Sequence, residues 1–212
     1  MEKAALMNNG RQKKKGAVWM AGGVLFLAAS LALEAYNLWD DRRAKRASEG
    51  VCEELSRFME EEENYGAEGQ EIPEYVIDSD REMPVVEIDG NEYIGILEIP
   101  ALELSLPVMS EWSYEKLKTA PCRYAGSAYA GGFVVAGHNY RAHFTPLKNL
   151  EPGTRISFQD VEGNLFFYEV SELETLKPQE VENMKDRGWD LTLFTCTYGG
   201  KNRLAVRCRK PS

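Results

Sequence analysis

The sequence predicts a mainly β domain, a barrel or a sandwich, held behind a hydrophobic N-terminal helix. Three observations carry this. From about residue 84 onward, short runs rich in β-branched and aromatic residues alternate with Gly- and Pro-containing turns, the pattern of closely spaced strands. Residues 17–33 carry no charge, and their length is at the short end for crossing a bilayer. Apolar residues make up 43% of the 212 positions, enough for a real core and too many for global disorder. The net charge is −9 with no offsetting basic face, which argues against nucleic-acid binding.

The N-terminal elements come first. Residues 1–15 read as a cytoplasmic tail and 16–35 as a transmembrane anchor. Tyr36 and Trp39 follow the anchor, as aromatics do at a membrane interface. Arg11, Lys13, Lys14 and Lys15 precede it without an intervening acid, whereas Arg42, Arg43, Lys45 and Arg46 follow it. The first cluster favours an inside N-terminus, giving a single-pass protein of the cell membrane with its main domain extracellular. A cleaved signal peptide and a buried helix are the competing readings of the same segment. Residues 36–83 read as a juxtamembrane helix and linker. Val51, Leu55 and Phe58/Met59 have helical spacing and form one narrow apolar stripe. Gly66, Gly69 and Pro73 mark 65–80 as linker.

Residues 84–212 form the β domain. Strands are expected at 93–99, 102–108, 133–136, 155–158, 165–173, 190–195 and 203–209, with a helical turn near 114–119, a short helix at 144–150 and helix or loop at 178–187. Cys122 falls in a loop beside Pro121.

The last two strands carry the chemistry. One ends on Cys196, a polar turn with Gly199 and Gly200 follows, and the next strand opens on Arg203. A thiol and a guanidinium then stand at facing strand ends, and a permanent cation favours the thiolate. Two histidines and four cysteines limit any Cys/His catalyst to few combinations. Cys52 sits on the juxtamembrane helix, and Cys208 alternates with Leu204 and Val206 on the core side of its strand. His138 follows Gly137 at a strand end, where functional groups are displayed, although a structural histidine is equally compatible with that position. His143 reads as a surface residue of a polar loop, and Arg207 and Arg209 as residues of an exposed strand face. No CxxC, HExxH or acidic Ca²⁺ loop occurs, so no metal or other cofactor is expected.

Thr192-Leu193-Phe194-Thr195-Cys196, with Arg203-Leu204-Ala205-Val206-Arg207 after it, resembles the sortase signature, a Thr-Leu-x-Thr-Cys run with an arginine opening the next strand. Val134 to Asn139 is similar to the sortase histidine segment, and the stretch from Tyr93 to Pro100 to the family's first barrel strand. The resemblance covers about residues 90–209, in order. It implies a closed, roughly eight-stranded β-barrel and a cysteine transpeptidase with Cys196 as nucleophile, His138 as acid/base and Arg203 as oxyanion stabiliser. Thr195 would support the site or touch substrate. The implied partners are surface proteins with a C-terminal, LPxTG-like sorting signal and an amine acceptor, such as a peptidoglycan precursor or a pilin lysine. Asn139 and the long helical lead-in are similar to class B, and the run Thr-Cys-Thr-Tyr-Gly to class C or D. Two alternatives remain open: a membrane-anchored cysteine peptidase that hydrolyses rather than joins, and a non-catalytic extracellular β-domain.

Overall fold

The computed structural model describes residues 2–66, 72–185, 188–197 and 199–211, with side chains in the first helix described from 19 to 61. Residues 67–71 of the expected linker, 186–187 of the segment before the penultimate strand, and Tyr198 of the polar turn lie outside the described residues. The chain divides into two compact units, 1–42 and 43–212. A single helix, α1 (Glu2–Gly66), begins in the first and ends in the second. In the first unit it exposes Trp19, Leu25, Phe26 and Leu31. Between Trp19 and Glu61 the helix holds a stretch apolar and long enough to cross a membrane, by length and composition.

In the second unit, the helix buries Ala44, Ser48, Val51, Leu55 and Met59, a stripe that follows the 3.6-residue period. Phe58, expected to share this stripe with Met59, is exposed, because it sits a third of a turn away. The stripe packs with Ile88, Tyr93 and Met109 on the outside of the barrel. Nine strands follow: β1 (Val86–Ile88), β2 (Asn91–Ile99), β3 (Leu104–Met109), β4 (Cys122–Ser127), β5 (Gly131–Gly137), β6 (Arg155–Asp160), β7 (Leu165–Leu176), β8 (Leu191–Cys196) and β9 (Arg203–Arg209). Their order is β1-β2-β3-β4-β5-β8-β9-β7-β6, and β6 pairs back onto β2. The eight strands β2–β9 therefore form a closed, mainly β barrel with no free edge between them, and β1 is a short addition outside the ring.

Closure depends on Gly95. Its φ is +152, and a Cβ there would lie 2.0 Å from the carbonyl oxygen of Gln159. Only glycine lets β2 approach β6 this closely. The weakest seam joins β3 to β4, through the single parallel bridge Met109↔Cys122. β4 was not expected from sequence: two register irregularities break its ladder with β5, and its run Cys-Arg-Tyr-Ala-Gly-Ser has no alternating pattern.

Alternation sorts the side chains. Leu97, Phe133, Phe158, Tyr168, Leu193, Val206 and Cys208 fill the interior, so Cys208 lies on the core side as its strand pattern implies. The expected linker docks on the barrel: in the short helix α2 (Glu74–Ile77), Tyr75 stacks on Tyr129 at 4.9 Å. Arg81 forks onto Glu162 at 3.0 and 3.2 Å. Tyr129 in turn donates to the buried Asp160 at 2.6 Å, which also accepts the backbone N–H groups of Glu162 and Asn164 and fixes the β6–β7 turn.

Burial also sets an alkaline limit. The thiols of Cys122 and Cys208 are pushed up to about 12 from an ordinary value near 9. The native state therefore keeps protons that the unfolded chain releases, so this contribution is complete below about pH 9 and is lost as pH rises toward 12. Thermal unfolding from pH 8 to 11 is expected to show a steeper fall in Tm for the wild type than for a Cys122→Ala, Cys208→Ala double variant. Equal slopes would contradict it.

Candidate active site

Three strand ends meet at one rim of the barrel. β5 and β8 are parallel in the register Ala136↔Phe194 and Gly137↔Thr195, which brings the next residue, His138, alongside Cys196. β8 and β9 are antiparallel, with Cys196 opposite Arg203. Val134, Ala136, Phe194 and Ala205 belong to the cluster outside the barrel wall. His138, Cys196 and Arg203 continue those alternating series, so they form one row on the outer face. The structure thus brings the three residues together from positions nearly sixty apart in sequence.

His138 is half-buried, and its ring stacks on Tyr140 at 4.0 Å with an interplanar angle of 13°. Its carbonyl accepts the N–H of Phe144 at 3.2 Å. Gly137 makes this possible, because a Cβ there would lie 2.3 Å from the Phe144 ring. Gly137→Ala is therefore expected to displace Phe144 and the His138 segment together. A loss of about 1–3 kcal/mol is expected from overpacking, read by thermal unfolding, with a fall in activity. A variant with wild-type Tm and rate would show that the segment yields freely.

Cys196 is half-buried and is a free thiol, as are Cys52, Cys122 and Cys208. Arg203 folds over the β8–β9 turn. Its Nη1 donates to the carbonyls of Gly200 at 3.2 Å and Asn202 at 3.1 Å. The turn is itself closed by Thr197 N–H to Asn202 carbonyl at 3.0 Å. These bonds hold the guanidinium over the turn that joins Cys196 to its strand partner Arg203, while the other guanidinium nitrogens make no hydrogen bond among the described residues. Such fixed donors suit a charge that develops at the adjacent strand end. Thr195 points to the other side of β8; it is 3% exposed, and its hydroxyl meets no hydrogen-bond partner among the described residues.

Among the described residues, one cavity adjoins the row and a second lies away from it. A pocket of about 220 Å³ touches Cys196 and is lined by Asn139, Thr145, Lys148, Thr195, Thr197 and Leu204. A larger one, about 770 Å³, lies at the other end of the β5–β8 ladder, against Trp112, Arg123, Tyr124, Gly132, Lys185 and Asp190. Its size does not make it the reaction centre, since the candidate nucleophile is at the opposite strand end. Phe194 and Tyr124 meet edge-on at 5.1 Å, and Tyr124 and Trp112 at 5.5 Å. This aromatic series lines the outer face from below Cys196 toward the larger cavity.

Two expectations are corrected. His143, read as a surface residue, is 0% exposed and stands edge-on to Tyr140 at 5.4 Å, because the 138–150 connection folds inward onto the barrel end. Arg207, read as lining an exposed face, is 2% exposed. It faces outward from β9 as alternation requires, but the β7–β8 connection with α3 (Val181–Met184) covers that face. Arg209 is exposed as expected. Tyr140, Thr145 and Lys148 join the site without any sequence signal beyond closeness to His138. The expected helix at 144–150 is a 3₁₀ segment, Thr145–Asn149.

A family model described as Sortase domain matches residues 97–211. Sortase A of Bacillus anthracis is 29% identical over 115 residues, covering 51% of this chain and 54% of that protein. The chain thus spans about half the length of this curated relative. Among solved structures, the Clostridium perfringens sortase D5 transpeptidase superposes with a TM-score of 0.57 at 19% identity, covering 79% of this chain and 99% of that one. Sortase C1 from Streptococcus agalactiae gives 0.55 at 22% identity, covering 79% and 98%. A Clostridium perfringens sortase C, solved with the C-terminal cell wall sorting motif, gives 0.50 at 22% identity, covering 81% and 95%. These structural likenesses establish a shared barrel.

Proposed function

Because the chain belongs to the sortase family, a family of cysteine transpeptidases, we propose that it is a membrane-anchored sortase that cleaves an LPxTG-like sorting signal and transfers the acyl part to an amine. The observation that carries this reading is the row His138–Cys196–Arg203 across β5, β8 and β9. The Cys196 thiolate attacks the scissile carbonyl, and Arg203 donates to the developing oxyanion. His138 gives a proton to the leaving amine and later takes one from the acceptor, a task suited to an imidazole, which can both donate and accept a proton. The substrates are surface proteins with a C-terminal signal, and the acceptor is a cell-wall precursor or a pilin lysine. The sortase C solved with its sorting motif supports the first of these. The apolar stretch of α1 supports a single-pass anchor, and the basic cluster before it favours an inside N-terminus with the barrel outside the cell.

The test is incubation with an LPxTG-type fluorogenic peptide, with and without an amine, followed by mass spectrometry of the protein. A thioacyl adduct on Cys196 and an amide product that needs the amine are expected. Cleavage without amide under every amine would favour the hydrolase alternative. His138→Ala is expected to lower kcat/KM about 10²–10⁴-fold, and Arg203→Ala about 10²–10³-fold. A His138→Ala enzyme at full rate would remove His138 from the mechanism.

A further inference from the structure

Transpeptidation brings two substrates to one sulfur, and the structure indicates where the second arrives. We propose that the pocket of about 220 Å³ beside Cys196 binds the acyl acceptor, an amine that also carries a carboxylate, and that Lys148 pairs with that carboxylate. The inference rests on the reading of Cys196 as the nucleophile that carries the acyl group.

Position is the first argument. Asn139 and Thr197 line the pocket, and they directly follow His138 and Cys196 in the chain. The pocket therefore lies beyond the His138–Cys196 row, while Ala136 and Phe194 lie before it. In the transfer step the acceptor nitrogen attacks the thioacyl carbon. The new C–N bond forms as the C–S bond breaks, the sulfur departs as thiolate, and the amine proton passes to the His138 imidazole. That nitrogen must approach within reach of both His138 and the carbon on Cys196. The pocket wall includes Cys196 itself and Asn139, the residue that follows His138, so an acceptor held there lies against the sulfur that carries the acyl group. The acyl chain then extends the other way, along the outer face.

Charge is the second argument. Among the described residues, Lys148 is the only charged one lining the pocket. It is exposed and makes no ion pair among the described residues. Among the described residues, no carboxylate lines the pocket to meet an ammonium group. A nearby cation instead lowers the pKa of an amine, which favours the neutral, nucleophilic form. The same cation attracts a carboxylate placed further along the acceptor. The third argument is polar satisfaction. The Thr145 hydroxyl is bonded to the Asn139 carbonyl and the Thr197 hydroxyl to the Asn202 carbonyl. Both hydroxyls are thus engaged, which leaves the exposed Lys148 ammonium as the lining group that makes no ion pair among the described residues. The volume is below that of common drug-sized sites, roughly 300–1,000 Å³, and suits one or two residues.

The experiment uses the full chain in detergent with an LPxTG-type peptide as acyl donor. Trialanine and trialanine amide compete as acceptors, and the ratio of amide product to hydrolysis product is measured for each. Wild type is expected to favour the free acid by about two- to five-fold, as an exposed charge pair gives. Lys148→Ala should bring the two acceptors level, Lys148→Glu should reverse the order, and Lys148→Arg should restore it. Equal use of both acceptors by the wild type, or an undiminished preference in Lys148→Ala, would overturn the assignment. Failure of the wild type to form any adduct on Cys196 is a separate result, which overturns the transpeptidase reading and this inference with it.

Discussion

Replacing Cys196 by alanine is expected to reduce cleavage of a sorting-signal peptide by about 10⁴-fold or more, because the covalent route disappears with the sulfur. No other thiol can take over. Cys122 and Cys208 are fully buried, and burial pushes both up to about 12. Cys52 lies on the helix against the carbonyl of Ser105 and is raised to about 11. At neutral pH all three stay protonated and weakly nucleophilic. Iodoacetamide at pH 7.5 should therefore label the native wild type fastest at Cys196, and the alanine variant should lose that fast phase. Peptide affinity should survive, since the alanine removes one atom from the site. A Cys196→Ala protein that still cleaves at the wild-type rate would end the assignment of this residue as nucleophile.

Arg207→Ala is expected to be the most destabilising single change on the outer face, by about 3 kcal/mol, because it strips several buried groups of their donor while the partly exposed Glu174 can turn to water. The guanidinium is a buried clamp. Its Nε donates to Glu174 at 2.6 Å, its Nη1 to the Thr192 hydroxyl at 3.1 Å and the Met184 carbonyl at 3.5 Å, and its Nη2 to Glu174 and the Asn183 carbonyl. These bonds join β7, β8 and β9 to the connection that covers them. Alanine would leave the Glu174 carboxylate, the Thr192 hydroxyl and the α3 carbonyls without their donor. For a domain of this size the change corresponds to a Tm lower by roughly 10 °C. Arg207→Met should lose less, because it fills more of the space without the charge. Differential scanning calorimetry reads both, and an unchanged Tm in Arg207→Ala would show that the clamp contributes nothing. The connection it holds leaves β7 at Leu176, which is paired with Arg203, so loosening it should also raise proteolysis between 177 and 190.

The errors at His143 and Arg207 have one physical origin. A residue's own strand pattern tells which face it takes, and Arg207 does take the outer face. Whether that face meets water depends on what another segment lays over it. The missed β4 is a related case. Its strand character comes from neighbours that pair with it despite an irregular pattern, and its aromatic Tyr124 matters only because Phe194 lies beside it. Lys148 and Thr145 carry no local signal for the same reason, since nothing local distinguishes residues that line a pocket from residues of a loop.

The sequence by itself determined the strand-rich class, the apolar N-terminal helix and the pairing of Cys196 with Arg203 across a short turn. Each of these follows from local periodicity or from contacts between residues near in the chain. It also singled out His138, through a match of ordered motifs. Tertiary structure alone decided that β5 lies parallel to β8 in the register that sets His138 beside Cys196, and that β6 returns to β2 to close the ring. Parallel pairing and barrel closure join segments far apart in sequence, and their register is fixed by the packed core and by close approaches such as Gly95 on Gln159. No single strand carries that information in its own residues.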